Sequence, residues 1–481
     1  MAAATTKLVG LDFGTTTSSA LVAEAVVRRN AVTGRMELSL TRETFRSPLV
    51  FTPLENDRLD LAATLRLIDD WLARGGITPG HADVGGGGAL LTGLTARREN
   101  ARGLVAAIRQ RLGPALVATA DDPCLESWLA FQGSCAPLSR RYPEQTFLHL
   151  DIGGGTTNMA LGRNGDVLAT GCLFVGARHV RFTPGTRRIE SLSSHSKALF
   201  AALGISAGPG DDLPPDDLTR ILDWYLDLLG RAVEGRADRA HPADRPTLDH
   251  VQVPLPLPPT FYGDVSEKQV TLSGGVGELV YAAARGAAPP GITPYGDLGV
   301  DLAHRLLTHP TWARHWRASL PEGGGRATVA GLLRHATRIS GTSIHLPAPS
   351  LLPLTDLPIV GSLLPHADQT VLRATLELAR RAPGGAAVHV RGLLPEADGV
   401  RSFGARIASA LEEMAWPKDR PLVLLLESNC GKALGQCASR WGQLTLPLVV
   451  ADELDLPAAR WVTLGKERDG VVPVSFHGLE G

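Results

Sequence analysis

Aromatic residues make up only 5% of this chain, too few and too scattered for a base-stacking platform. Net charge is −1, with 48 basic against 49 acidic residues, so no basic field argues for nucleic acid or an anionic membrane surface. No apolar stretch approaches the ~20 residues that a spanning helix needs. Met1 to Thr6 carries no basic segment leading into an apolar run, so the expectation is a cytoplasmic protein. The five cysteines (Cys124, Cys135, Cys172, Cys430, Cys437) are odd in number and form no C-x-x-C, which reads as reduced thiols. Cys430 and Cys437, seven apart, fall on one helix face and are expected to pack. There is no G-x-x-x-x-G-K-[ST], since Gly431-Lys432 lacks both the upstream glycine and the following Ser/Thr. No H-E-x-x-H or zinc spacing occurs among 14 histidines. What remains is an ordinary globular composition, 44% hydrophobic and 20% charged, at a length that predicts two or three domains.

Against this background two segments stand out: Asp12-Phe13-Gly14-Thr15-Thr16-Thr17-Ser18 and Asp151-Ile152-Gly153-Gly154-Gly155-Thr156-Thr157-Asn158. Each follows an apolar run and precedes another, the pattern of strand, tight glycine turn, strand. Glycine lets backbone N–H groups approach a ligand closely, and the threonines add hydroxyl donors; a row of such donors makes an anion site. The aspartate heading each turn is placed to hold Mg²⁺, through water for the most part, because this small hard cation keeps much of its hydration shell. A third backbone-exposing turn follows the strand Gln269 to Leu272, at Ser273-Gly274-Gly275-Val276-Gly277-Glu278. Three such turns together outweigh a reading as ordinary hairpins.

Apolar spacing predicts helices over Ala62–Ala73, Thr95–Gln110, Leu125–Phe131 and Leu218–Glu234, with Asp121 or Asp122 capping the third. Gly85 to Gly88 reads as a flexible connector ahead of a short buried strand, Ala89 to Gly93. The proline-rich stretch Arg236 to Pro259 is expected at the surface. His309, His315 and Trp316 fall in an expected helix as partly exposed structure, and His149 reads as a core histidine. Beyond about residue 345, strand runs at Ala387–Val390, Leu422–Leu426 and Leu446–Val450 alternate with helical segments at Val371–Arg381, Gly404–Ala415 and Gly431–Trp441, an α/β unit with a parallel sheet.

Taken together, the two turns and the strand–Ser-Gly-Gly–helix resemble the actin, Hsp70 and sugar-kinase ATPase superfamily. The resemblance implies an α/β, two-lobed, ribonuclease H-like ATPase fold over residues 1–345, with lobes at about 7–145 and 146–345 and an additional C-terminal α/β domain over 346–481. It implies ATP and Mg²⁺ as cofactors. Gly14, Thr15, Thr16, Thr17, Gly153, Gly154, Gly155, Thr156 and Thr157 would line the phosphates, and Gly274, Gly275 and Glu278 would flank adenosine and ribose. Asp12 and Asp151 would hold hydrated Mg²⁺ and orient the attacking water, with Glu126, or alternatively Asp122, as a further carboxylate on a connecting helix. Ala327-Thr328-Val329-Ala330-Gly331 resembles the second connecting helix. Leu332 and Leu333 follow where small residues are usual, which predicts looser packing between the lobes there.

A narrower likeness rests on Leu91-Thr92-Gly93, Thr95-Ala96-Arg97, Glu99-Asn100-Ala101-Arg102, Leu125-Glu126-Ser127, the Thr271–Glu278 string, Gly431-Lys432-Ala433-Leu434-Gly435 and Val471-Val472-Pro473-Val474. In this order they resemble the reactivating factors of ethanolamine ammonia-lyase, the ethanolamine utilization EutA family, over nearly the whole chain. Leu94 departs from the glutamate usual there, which predicts slower hydrolysis if that group touches metal. The resemblance implies an ATP-dependent, chaperone-like factor that promotes exchange of damaged cobalamin for adenosylcobalamin on the lyase, in the cytoplasm or with an ethanolamine microcompartment. The lyase would be the partner, bound through the C-terminal domain, with neither nucleic acid nor membrane involved. No D-x-H-x-x-G occurs, so cobalamin is expected on the partner rather than on this chain. Rival readings on the same fold are a small-molecule kinase, with Asp297 as its arguable base, an actin-like assembly protein, and a partner-binding fold without turnover.

Overall fold

The computed structural model describes residues 5–31, 34–55, 58–78, 84–92, 100–112, 117–120, 123–234, 268–288, 290–317, 326–335, 337–468 and 470–479. The expectations for Asp121, Asp122, Leu94, residues 95–99 and the proline-rich stretch lie outside them.

The first sheet is built from β1 (Thr5–Phe13), β2 (Thr17–Arg29), β3 (Met36–Arg46), β4 (Val84–Leu91) and β5 (Val117–Ala120), in the order β3-β2-β1-β4-β5. The first three run antiparallel and the last two parallel to β1, the ribonuclease H-like order that the resemblance implied. Strand periodicity sorts the residues of β1. Val9, Leu11 and Phe13 face α1 (Leu61–Arg74) and α2 (Ala101–Leu112), where Ile68, Trp71, Leu104 and Ile108 complete a buried core. Leu8 faces the other way, onto Val329, Ala330 and Leu333.

The glycine run Gly85 to Gly88 is no connector; it is the buried first half of β4. Gly87 has φ +116°, and a Cβ there would stand 1.9 Å from the Val9 carbonyl oxygen. Its N–H donates to Thr337 Oγ1 at 2.8 Å. Side chains would not fit between β1 and Thr337, so the glycines permit close approach rather than flexibility.

The second sheet repeats the plan with β6 (Thr146–Ile152), β7 (Thr157–Arg163), β8 (Asp166–Leu173) and β9 (Gln269–Ser273), ordered β8-β7-β6-β9. The antiparallel β6–β7 hairpin matches β1–β2: Asp12 pairs with Ser19, and Asp151 with Asn158. A large core beneath it includes Leu150, Ile152, Leu272 and Trp312. His149 is fully buried, with Nδ1 2.8 Å from Thr271 Oγ1 and Nε2 2.9 Å from Ser273 Oγ, and burial lowers its pKa to about 3. His309 is buried too, just past the end of helix Gly299–Thr308, rather than partly exposed within a helix.

Two connecting helices cross between the sheets. The first is α3 (Pro123–Ala130), prolonged by a π turn over Phe131–Cys135; the second is α4 (Ala327–His335). At the crossing, a Cβ on Gly133 would lie 2.0 Å from the Ala327 carbonyl oxygen, and one on Gly331 2.1 Å from that of Leu129. The expected looseness at Leu332 and Leu333 is therefore absent. Leu332 is sealed among Leu90, Leu125 and Leu129, and Leu333 against Leu8 and Leu21.

The third sheet comprises β10 (Arg338–Ile339), β11 (Leu354–Leu363), β12 (Ala386–Val390), β13 (Leu422–Leu426), β14 (Leu448–Ala451), β15 (Ala459–Leu464) and β16 (Pro473–Leu479), ordered β10-β16-β15-β11-β12-β13-β14. It begins before residue 346, at Arg338, shortly after α4 ends at His335. Strands β11 to β14 are parallel and are covered by α5 (Gln369–Arg381), α6 (Ala397–Glu413) and α7 (Gly431–Ala438). Helix α6 starts about two turns earlier than the apolar spacing suggests, because Ala397-Asp398-Gly399 carries no apolar signal. Helix α7 stops before Arg440 and Trp441, whose positive φ angles end it. Its N-terminus is capped from another strand end: Gly431 N–H donates to Asp452 Oδ2 at 2.7 Å, so the Glu427–Cys430 segment does not cap it by a side chain.

Asp356 fastens the third sheet to the first lobe. Its carboxylate accepts from Arg109 Nη2 at 3.0 Å and lies 3.1 Å from His477 Nε2, which together hold its pKa down at about 2. The sign follows: a depressed carboxylate stabilises above its unfolded pKa and loses that contribution as pH falls from about 4 to about 2. Asp356→Asn is expected to destabilise by roughly 1–2 kcal/mol at pH 7, discounted for a half-exposed pair, and by nothing at pH 2. Denaturant titrations at the two pH values check this.

Candidate functional site

Both glycine turns are closed by the same bond. Gly14 N–H donates to the Thr17 carbonyl at 2.9 Å, and Gly153 N–H to that of Thr156 at 3.0 Å. The turns face each other across one cavity of about 510 Å³, within the range of small-molecule sites. They touch directly: a Cβ on Gly154 would stand 2.0 Å from Thr16 Oγ1. Thr52 holds the first turn from behind, its N–H donating to the Thr16 carbonyl at 3.0 Å and its hydroxyl to that of Gly14 at 2.7 Å.

The cavity walls include Asp12, Gly14, Thr15, Thr16, Thr17, Glu126, Asp151, Gly153, Gly154, Gly155, Thr156, Gly274, Gly275 and Glu278. Of the residues singled out in the sequence, Thr157 is not among them; it is buried in β7 and its hydroxyl donates to the Val175 carbonyl at 2.7 Å. Thr92, Asn158, Thr328, Tyr295 and Asp297 also line the cavity. Thr328 Oγ1 donates to Asp151 Oδ2 at 3.0 Å, and Thr92 Oγ1 to Asp12 Oδ1 at 3.3 Å. Asn158 was within reach of sequence reasoning, because a four-residue turn places it opposite Asp151. Asp297 entered the sequence reading only as the arguable base of a rival kinase and Thr328 only as part of the second connecting helix; the tertiary fold brings both to this wall.

Electrostatics single out one end of the cavity. Burial, then the nearby Asp151 charge, pushes Asp12 up to about 7, against a hydrogen bond from Thr92. Burial first, then Asp12 and Asp151, raises Glu126 well above the usual carboxylate range. Asp151 is raised by burial, opposed by Ser273 and Thr328. Two buried acids, Glu126 and Asp151, and the half-buried Asp12 disfavour one another's charge, and a cation would relieve them. Among the described residues no three His, Cys, Asp or Glu side chains are arranged to ligate one ion directly.

The sign of the pH dependence can be worked out. The folded state binds protons more tightly than the unfolded state at Asp12, so stability falls as pH rises from about 4 to about 7. Without divalent metal the Tm is expected to drop over that window by roughly 2–4 °C or more. Asp12→Asn should flatten the drop, and millimolar Mg²⁺ should raise the Tm more at pH 8 than at pH 5. Calorimetry across pH, with and without Mg²⁺, reads both.

Helix Gly274–Ala284 contributes Gly274, Gly275, Val276, Glu278, Leu279 and Ala282 to the cavity wall, which Tyr295 and Gly299 also line. Gly274 lies against the acids, where a Cβ would stand 2.6 Å from Asp151 Oδ1. Asp297 is buried there, and its Oδ1 accepts from Gly299 N–H at 2.9 Å. The wall thus combines the donor-lined turns and the acids with the apolar side chains of Val276, Leu279 and Ala282.

Residues 5–480 match the family described as ethanolamine utilisation protein EutA. The chain is 30% identical to "Ethanolamine ammonia-lyase reactivase EutA" of Salmonella typhimurium, across 98% of this chain and 97% of that protein. It is 29% identical to the protein of the same description from Escherichia coli, at the same coverage. A solved exopolyphosphatase from Cytophaga hutchinsonii aligns at 12% identity over 93% of this chain and 94% of its own, with a TM-score of 0.32.

Proposed function

We propose that this chain, which belongs to the ethanolamine utilisation protein EutA family, is an ATP-dependent reactivating factor of ethanolamine ammonia-lyase. The observation that carries the nucleotide part is the pair of equivalent glycine–threonine turns facing each other across one cavity beside three mutually strained acids. The partner comes from the full-length relatives, whose names state a lyase reactivase.

In this reading the N–H and hydroxyl groups of Gly14–Thr17 and Gly153–Thr156 hold the phosphates. Asp12 and Asp151 hold the water shell of Mg²⁺, which when bound neutralises phosphate charge. Glu126 stands beside them to orient a water. Gly274, Gly275 and Glu278 flank the nucleoside, and Val276 and Leu279 supply apolar contact. Thr157 supports the second turn from inside the sheet. The protein's part is positioning and charge compensation in a partly closed cavity.

Work on the lyase requires that the nucleotide states differ in affinity for it, or no release of damaged cobalamin follows. The partner surface is assigned to residues 346–481. Six large apolar side chains stand exposed there: Leu364, Val371, Leu378, Leu394, Trp441 and Trp461. Val371 and Leu378, seven apart on α5, share one face of that helix. No helix among the described residues is long and apolar enough to cross a membrane.

The test is recovery of cyanocobalamin-inactivated lyase with adenosylcobalamin, Mg²⁺ and ATP, against the same mixture without ATP. Recovery only with ATP supports the reading. ATP hydrolysis without recovery would keep the site and move the client elsewhere.

A further inference from the structure

Three consecutive carbonyls of the second glycine turn have three consecutive partners on one short segment. Ala177 N–H donates to the Gly153 carbonyl at 3.1 Å, Arg178 N–H to that of Gly154 at 2.6 Å, and His179 Nε2–H to that of Gly155 at 2.8 Å. A carbonyl cannot donate, so the last bond fixes the tautomer with hydrogen on Nε2. Nδ1 is then an acceptor, 3.0 Å from Ser193 Oγ.

The hydroxyl hydrogens behind it can be accounted for. Ser196 Oγ donates to the His179 carbonyl at 2.6 Å, which leaves the Ser193 hydroxyl free to donate to Nδ1. Ser193 Oγ in turn accepts from Ser196 N–H, as the N-cap of helix Ser194–Leu203. His179 is fully buried, against the ring of His195 at 4.4 Å, and burial with that neighbour keeps it neutral.

We infer that His179 is a positioning residue: with Ala177 and Arg178 it clamps the carbonyls of Gly153–Gly155 to one side, so that the turn's N–H row keeps the orientation needed toward a bound phosphate. Three adjacent glycines are otherwise the least constrained backbone available, and a turn that collapses between conformers offers no fixed anion site. Two of the three bonds are backbone bonds that any sequence could make. The third depends on the side chain of residue 179, which carries the orientation of the helix cap into the turn. The proposal rests on the nucleotide reading above for the identity of the anion.

Its test has two independent readouts. The first is hydrogen–deuterium exchange of the peptide spanning residues 151–158 in the nucleotide-free protein. His179→Leu, which keeps bulk and loses the donor, should speed exchange there about tenfold or more. Ser193→Ala, remote from the cavity, should give a smaller increase in the same peptide. The second readout is affinity for MgATP by calorimetry, with about a tenfold loss in His179→Leu and partial rescue in His179→Gln, whose amide can donate again. Unchanged exchange at 151–158 in both His179→Leu and Ser193→Ala, at unchanged Tm, overturns the clamp. If His179→Leu does not fold, Ser193→Ala and His179→Gln decide it by the same exchange measurement. If wild type binds no MgATP while exchange responds as expected, the clamp stands and the nucleotide reading fails.

Discussion

Asp151→Ala is expected to abolish ATP-dependent recovery of the lyase, by about a hundredfold or more, while leaving the protein folded. The magnitude is that of deleting a group which positions charge against a transferring phosphoryl. Asp151 accepts from Thr328 at 3.0 Å, and it raises the pKa of both Asp12 and Glu126. Its removal therefore costs the hydrogen bonds from Thr328 and Ser273 and relieves repulsion among the clustered acids, so the Tm at pH 8 should hold or rise. Asp12→Ala should behave alike. Single-turnover ATP hydrolysis, recovery assays and calorimetry on the same preparations check the three parts. A variant that loses recovery and also unfolds would say that the acid is structural.

The second large effect is on stability. Gly133→Ala should destabilise by about 3 kcal/mol or more, because its Cβ would sit 2.0 Å from the Ala327 carbonyl oxygen and 2.5 Å from Gly331 N. Both obstacles are backbone, so no rotamer change relieves the clash; α3 and α4 must separate. That separation parts the floor of the cavity, so nucleotide affinity should fall with the Tm. Gly230→Ala is the control: it adds the same methyl at a helical position that meets nothing within 4 Å. Equal Tm values for the two variants would mean that the crossing yields without cost.

How much of this was legible in the sequence depends on what each residue reports. The turns were readable because glycine, threonine and aspartate at strand ends carry their conformational meaning locally. Helices with a clear apolar stripe, such as Leu61–Arg74 and Pro215–Val233, were readable for the same reason. The run Gly85 to Gly88 was misleading: without the strand that packs on it, a glycine run looks like slack chain. Leu332 and Leu333 misled in the opposite sense. Close approach at the crossing is made by Gly133 and Gly331, and the leucines fill the flanks. Thr328, Thr92 and His179 were invisible as site residues because their roles exist only across elements distant in the chain.

Helix α4 has a consequence for how the molecule could transmit work. At its N-terminal end Thr328 touches Asp151 in the second lobe, along its length Val329, Ala330 and Leu333 bed against the first sheet, and at Arg338 the chain is an edge strand of the third sheet. A nine-residue rod is thus geared to all three bodies at once. If the lobes rotate in the nucleotide cycle that the proposed function requires, α4 is in contact with both of them. Under the proposed function, a displacement of that helix would carry the start of the third sheet with it.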